Sequence, residues 1–340
     1  MTFAIAFVVA AVTTPLLAFV AARAGLVDQP RGDELKIHPR PVPVSGGVAV
    51  VAGALVAVLV AGSVGWAIVA AILLSLAVGL LDDVWPIPPW IRFVLQAGTG
   101  ALLVAGGLVV APLGPLAGAG TIFLVLLCSN AVNIVDGQDG LAGGLGAIAA
   151  GGLAGASMLA GGGGGPALAV AGGLTGFVAW NFPRARVFLG NGGAYATGTG
   201  LAGLAATLSE TAGWPGLLAA GLCVGPFAAE LSFTVLRRLG SPGTLTTGDR
   251  LHSYDLLAEK VGRSGSTLVF WGIGAASAGL GVLVVGLTGP AGAAIVAAAA
   301  LVAAVAGLVL WRQRGLRRPH QDSYAEGRMR AQPSPPTVRP

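Results

Sequence analysis

The sequence predicts an all-α protein, a polytopic transmembrane helix bundle of about 10–11 spans with its charged loops gathered at the cytoplasmic face. Three observations carry that expectation. The 340-residue chain is 55% hydrophobic and only 10% charged, against about 25% charged residues in soluble domains, and its mean hydropathy is +0.83. Apolar runs long enough to cross a bilayer core of roughly 30 Å, about 20 helical residues each, recur along the whole length. All 19 Lys and Arg fall in alternate connections or at the helix ends beside them.

In order, the spans run over approximately 3–22, 46–62, 66–81, 91–111, 113–130, 141–160, 166–180, 193–209, 214–236, 267–288 and 290–311. The first lacks a basic leader and a small-residue cleavage site, so it reads as a retained helix and not a signal peptide. With 56 Gly and abundant Ala, the helices are expected to pack through small faces, although a genomic bias would leave the same composition. Cys128 and Cys223 lie inside apolar spans and are expected to be small buried side chains. Residues 1–311 form one transmembrane domain, and 312–340 a basic, Pro-rich, disordered cytoplasmic tail.

The connections near 63–65, 111–113, 161–165 and 209–214 hold no Lys or Arg. The positive-inside rule therefore makes the charged side cytoplasmic, placing the N-terminus outside and the C-terminus inside the cell (inner or plasma) membrane. The net charge of +5 describes a surface that faces anionic lipid and not a nucleic-acid binder. Thirteen of the 14 Asp and Glu share that side, Glu210 being the exception.

Four connections carry more polar chemistry than a turn needs. In "GLLDDVWPIPPW", Asp82 and Asp83 end a helix where the macrodipole disfavours carboxylates. Asp83 as a cap, or two solvated acids, is one account; a pair that holds a divalent cation or takes a proton is the other. In "NAVNIVDGQDG", Asn130, Asn133 and Asp136 fall at i, i+3 and i+6, with Gly137 and Gly140 after them, so a continued helix aligns three polar side chains. In "WNFPRARVFLGNGG", the Gly-rich turn into a helix suits an anion, with Arg184 or Arg186 adding charge or simply anchoring the loop. In "TTGDRLHSYDLLAEK", Arg250, His252 and Asp255 lie close together, which suits a diphosphate or a proton relay, or is a solvated loop. Lys36 and His38, in a Pro-rich loop, pose the same alternatives. Glu230, inside an apolar span, is either a functional carboxylate or a partner of Arg237.

Taken in order, these loops resemble the polyprenyl-phosphate N-acetylhexosamine-1-phosphate transferases of glycosyltransferase family 4, which include the phospho-N-acetylmuramoyl-pentapeptide translocase of peptidoglycan synthesis. The likeness spans residues 25 to about 265: a "KxH…P…GG" loop, "GLLDD", "NAVNIVDGQDGLAGG", "NF…RVFLG" and a His-bearing last loop. It implies transfer of a sugar 1-phosphate from a UDP-sugar to a membrane polyprenyl phosphate, with release of UMP, for cell-wall or surface polysaccharide synthesis. It also implies Mg²⁺, or Mn²⁺ in its place, and is compatible with a homodimer. Carried over, Asp82, Asp83, Asp136 and His252 are the catalytic set. Lys36, His38, Asn133, Asp139, Asn181, Phe188 and Arg250 bind substrate, with the Phe188 ring stacking on uracil. Asp83, Asn133 and Asn191 hold the metal.

Two departures bear on that. Asn191 stands where the family has a metal-binding aspartate, so the site loses a charge and should hold the ion more weakly. The last loop carries the single histidine of "RLHSYDLL", which favours a plain UDP-N-acetylhexosamine over a muramoyl-pentapeptide donor. A non-catalytic paralogue that binds nucleotide or lipid is the first alternative. A transporter is the second, disfavoured because the polar residues gather in loops and not at mid-membrane.

Overall fold

The computed structural model describes residues 1–30, 40–62, 65–239 and 251–287, with the single positions 292 and 298. The described helices belong to one compact unit, Met1–Val296. They are α1 (Thr2–Arg23), α2 (Gly46–Val60), α3 (Trp66–Val84), α4 (Pro89–Ala105), α5 (Ala117–Val135), α6 (Leu141–Leu159), α7 (Gly165–Asn181), α8 (Gly190–Leu239), the short α9 (Ser253–Val261) and α10 (Arg263–Gly286). A 3₁₀ turn, Ala111–Leu116, precedes α5. Among the described residues six helices are long and apolar enough to cross a membrane, and the chain is a multi-pass membrane protein. The span expected at 290–311 and the tail at 312–340 lie outside the described residues.

The expected spans 193–209 and 214–236 are two arms of one element. Helix α8 is 50 residues long and leaves helical geometry at Gly213 (φ 59°, ψ −139°), two residues before Pro215. The chain thus crosses, turns sharply and returns. Prolines also open helices: Pro89 and Pro166 sit in the first turns of α4 and α7, where a missing N–H costs nothing.

Burial follows small residues, as membrane packing without a hydrophobic drive between helices requires. Thr2, Ala6, Ala10 and Thr14 form the buried stripe of α1 at four-residue intervals, and α7 lies so near that a Cβ on Gly176 would sit 2.5 Å from the Phe7 carbonyl oxygen. Polar groups inside the bundle pair across helices, Ser75 Oγ with Thr199 Oγ1 at 2.7 Å. Cys128 and Cys223 are buried and unbridged, as expected.

Because the passes alternate, α3, α5, α7 and the returning arm of α8 end where α2, α4, α6 and the outgoing arm begin. That shared end collects the charged loops. The exception, Glu210, is at the opposite end and accepts the Val109 N–H at 2.9 Å. A two-residue hairpin, β1 (Val27–Asp28) against β2 (Val42–Pro43), closes the connection after α1.

Candidate active site

Helix α3 delivers two carboxylates whose surroundings differ. Asp82 is buried and saturated. Its Oδ1 accepts the Ile87 N–H at 2.7 Å, and Oδ2 accepts the Tyr195 hydroxyl at 2.8 Å, the Asn191 amide at 3.1 Å and the Arg92 guanidinium at 3.3 Å. These partners offset both its burial and the unfavourable helix end. Asp83 is exposed and, among the described residues, takes backbone donors, the N–H groups of Asn191 at 3.0 Å and Gly192 at 3.3 Å. Those are the first amides of α8, so a helix start supplies the positive field that α3 lacks.

The same turn gathers the third loop. Gly190 has φ +77°, and a Cβ there would meet the Val44 side chain at 2.4 Å and Asp83 Oδ2 at 2.8 Å. Only glycine fits that conformation and that space. The Asn191 side chain donates to Asp82, and its Oδ1 accepts the Asn133 amide at 2.6 Å. Asp83 and Asn133 thus both bond to Asn191. Asp136 caps α5 and accepts from the Gly190 backbone; enclosure first, then the charges of Asp83 and Asp139, hold its carboxyl well above the ordinary range. Asn130 takes no part. It turns to α4, donating to Gln96 Oε1 at 2.7 Å.

Backbone-to-backbone packing fixes this geometry. A Cβ on Gly79 of α3 would lie 2.4 Å from backbone atoms of Asn191 and Gly192, and one on Gly47 of α2 would lie 2.3 Å from Gly193.

The turn after α5 is braced from below. Asn181 is buried; its Oδ1 accepts the Gly140 N–H at 2.7 Å, and its amide donates to the Val187 carbonyl at 2.8 Å. Both ends of its side chain therefore join the two loops. Asp139 Oδ2 accepts the Ala185 N–H at 3.2 Å. Phe188 is half-buried, with its backbone stitched to Pro43 and Gly46. Arg186 lies over the Trp180 ring.

In the last loop His252 is 7% exposed, packed against Glu230 of α8. The Tyr254 hydroxyl reaches the Ile134 carbonyl at 3.0 Å, beside the Asp136 turn. Lys36, His38 and Arg250 lie outside the described residues.

Tyr195 and Arg92 were not expected from the sequence, yet Arg92 Nη1 lies 3.3 Å from both the Tyr195 hydroxyl and Asp82. Both left a signal. Tyr195 falls four residues after Asn191, on the same helical face, and Arg92 is the only cation between Arg40 and Arg184.

Among the described residues no three His, Cys, Asp or Glu cluster as a metal cage. Two carboxylates with neighbouring amide oxygens nevertheless suit a hard cation that keeps water and substrate oxygens as its remaining ligands. Asp83, with its open carboxylate, and Asp136 are the groups that fit, joined by Asn191 and Asn133.

Acids and amides thus meet at one end of an alternating membrane bundle. A model of glycosyl transferase family 4 matches residues 65–209. The chain is 27% identical to the probable undecaprenyl-phosphate N-acetylglucosaminyl 1-phosphate transferase of Bacillus subtilis, over 79% of this chain and 81% of that one. It is 31% identical to the decaprenyl-phosphate N-acetylglucosaminephosphotransferase of Mycobacterium leprae, over 72% and 73%. It is 35% identical to a putative glycosyltransferase of Streptomyces coelicolor, over 84% and 76%. The chain belongs to glycosyl transferase family 4 and is an enzyme of that family.

Proposed function

We propose that the protein transfers an N-acetylhexosamine 1-phosphate from a UDP-sugar to a polyprenyl phosphate at the cytoplasmic face of the cell membrane. An oxygen of the lipid phosphate attacks the β-phosphorus of the sugar nucleotide, the bond to UMP breaks, and UMP leaves with the electron pair. The products are a polyprenyl diphosphate sugar and UMP. The observation that carries this is the convergence of Asp83, Asp136, Asn133 and Asn191 on the first turn of α8. That end of the bundle is where a lipid phosphate has its head, with its tail in the bilayer.

Within this reading the open carboxylate, Asp83, faces the reacting phosphates, and Asp82 is the anchor that holds Asn191, Tyr195 and Arg92 in register. Asp83 and Asp136 would hold Mg²⁺, or Mn²⁺, with Asn191 and Asn133 beside them. When bound, the ion supplies charge neutralisation for the diphosphate, which dominates phosphoryl transfer. Phe188 and Asp139 border the nucleotide. Asn181 serves by holding its two loops together.

The test is release of UMP by purified protein in detergent with polyprenyl phosphate, Mg²⁺ and a panel of UDP-sugars, with mass spectrometry of the lipid product. A UDP-N-acetylhexosamine should be turned over. No turnover with any donor, alongside retained nucleotide binding, would instead favour the non-catalytic paralogue.

A further inference from the structure

Away from the acidic turn, one buried cluster carries charge. Glu230, 3% exposed, lies in the returning arm of α8. A carboxylate within an apolar helix is costly unless partnered, and Glu230 spends both oxygens. Oε1 accepts the Ser253 N–H at 3.0 Å and faces His252 Nδ1 at 3.3 Å; Oε2 accepts the Ser253 hydroxyl. Thr234, one turn further, places Oγ1 3.1 Å from the same Nδ1. The imidazole lies parallel to the Tyr254 ring at 5.0 Å. That ring is seated under the Asp136 loop, where its hydroxyl fills the space a Cβ of Gly137 would need. The imidazole is therefore held by an edge and a face, while Nε2 makes no hydrogen bond among the described residues.

We propose that Glu230 is a positioning residue for His252. An ionised carboxylate only accepts, so the proton sits on Nδ1, and Nε2 is left as the nitrogen offered to the active site. What meets Nε2 rests on the transferase reading: the diphosphate of the sugar nucleotide, to which Nε2 donates when the ring is protonated. Glu230 also accepts the first amide of α9, so it serves as that helix's cap. Helix capping alone would leave the state of the imidazole indifferent to it.

The chain has only three histidines, which makes the ring directly observable. Nitrogen NMR of the ¹⁵N-histidine-labelled full-length protein in liposomes, assigned by loss of the His252 signal in His252→Gln, should show Nδ1 protonated. Glu230→Gln, whose amide donates, should shift the ring toward protonation at Nε2 alone. In the UMP assay Glu230→Gln should lower kcat about 10- to 100-fold, with less change in KM for the UDP-sugar. Glu230→Asp should recover part of the loss. In a His252→Gln background Glu230→Gln should add no further loss. An unprotonated Nδ1 in the native protein overturns the proposal, which keeps it decidable even where Glu230→Gln does not fold. An equal kcat loss with and without His252 also overturns it, leaving only the helix cap. The spectra need no turnover, so a chain inactive on every UDP-sugar defeats the transferase reading and leaves the tautomer result standing.

Discussion

Two adjacent aspartates with unequal partners should fail differently when neutralised. Asp83→Asn removes the charge and sets an amide NH2 against one of the two helix-start N–H groups at an exposed position, so turnover should fall at least about 100-fold while the melting temperature in detergent falls less than in Asp82→Asn. Asp82→Asn takes the charge away from half-buried Arg92 and the acceptor from buried Tyr195 and should lower both. Equal melting temperatures would remove the anchoring role. Asp136 adds a pH signature. Its carboxyl is raised in the folded protein, so its contribution to stability is present below the ordinary carboxylate range and is lost as pH rises through the folded value. In EDTA, Asp136→Asn should therefore melt higher than the native protein at pH 8 and together with it at low pH. Mg²⁺ affinity, measured by calorimetry, should weaken as acid protonates the same group. Asn191→Asp replaces a donor with a charge beside Asp82 and Asp83; its melting temperature should drop in EDTA and rise with Mg²⁺ more than the native protein's does.

Helices bring those side chains together through contact between backbones, which makes individual glycines into spacers. Gly79→Ala drives a methyl into the Asn191–Gly192 backbone and should part α3 from α8, with loss of turnover and a lower melting temperature. Gly98→Ala on α4 meets nothing within 4 Å and should leave both unchanged. Gly190→Ala adds backbone strain of roughly 1 to 3 kcal/mol to its clash with Val44. The helices themselves were legible from apolar run length, because a membrane span has to be long and oily whatever it packs against. Glycine as spacer was legible only as a composition. Which glycine touches which backbone depends on helix rotation, and α1 and α7, whose apolar residues surround them, have no sequence period that fixes it. The loops holding Asp83, Asn133, Asp136, Asn191 and His252 stood out because polar residues are scarce in this chain. Tyr195 did not, since its partners Asp82 and Arg92 lie about a hundred positions away, and Arg92 did not, although Asp82 stands only ten positions before it. Glu230 drew attention by depth alone, and the sequence suggested Arg237 as its partner where the structure has His252 and Ser253.

At the scale of the molecule, the segregation of charge to alternate connections is read from the sequence by counting and not from packing. The native Cys128 and Cys223 are buried and should stay silent to maleimides, which gives a ready background for testing orientation. A cysteine at exposed position 184 should label only in permeabilised cells, and one at exposed position 210 should label in intact cells; the reverse pattern would invert the assigned topology. The folded-back α8 has a further consequence. One continuous segment carries Asn191 near its start and Glu230 near its finish, so the position of each is counted along its own arm from the bend at Gly213. Each inserted residue turns an arm by about 100°. A one-residue insertion in either arm should swing Asn191 or Glu230 off its partner, whereas the same insertion beside Gly213, where helical winding is already interrupted, should be absorbed. The outer elbow is thus the one place along α8 where added length should be tolerated.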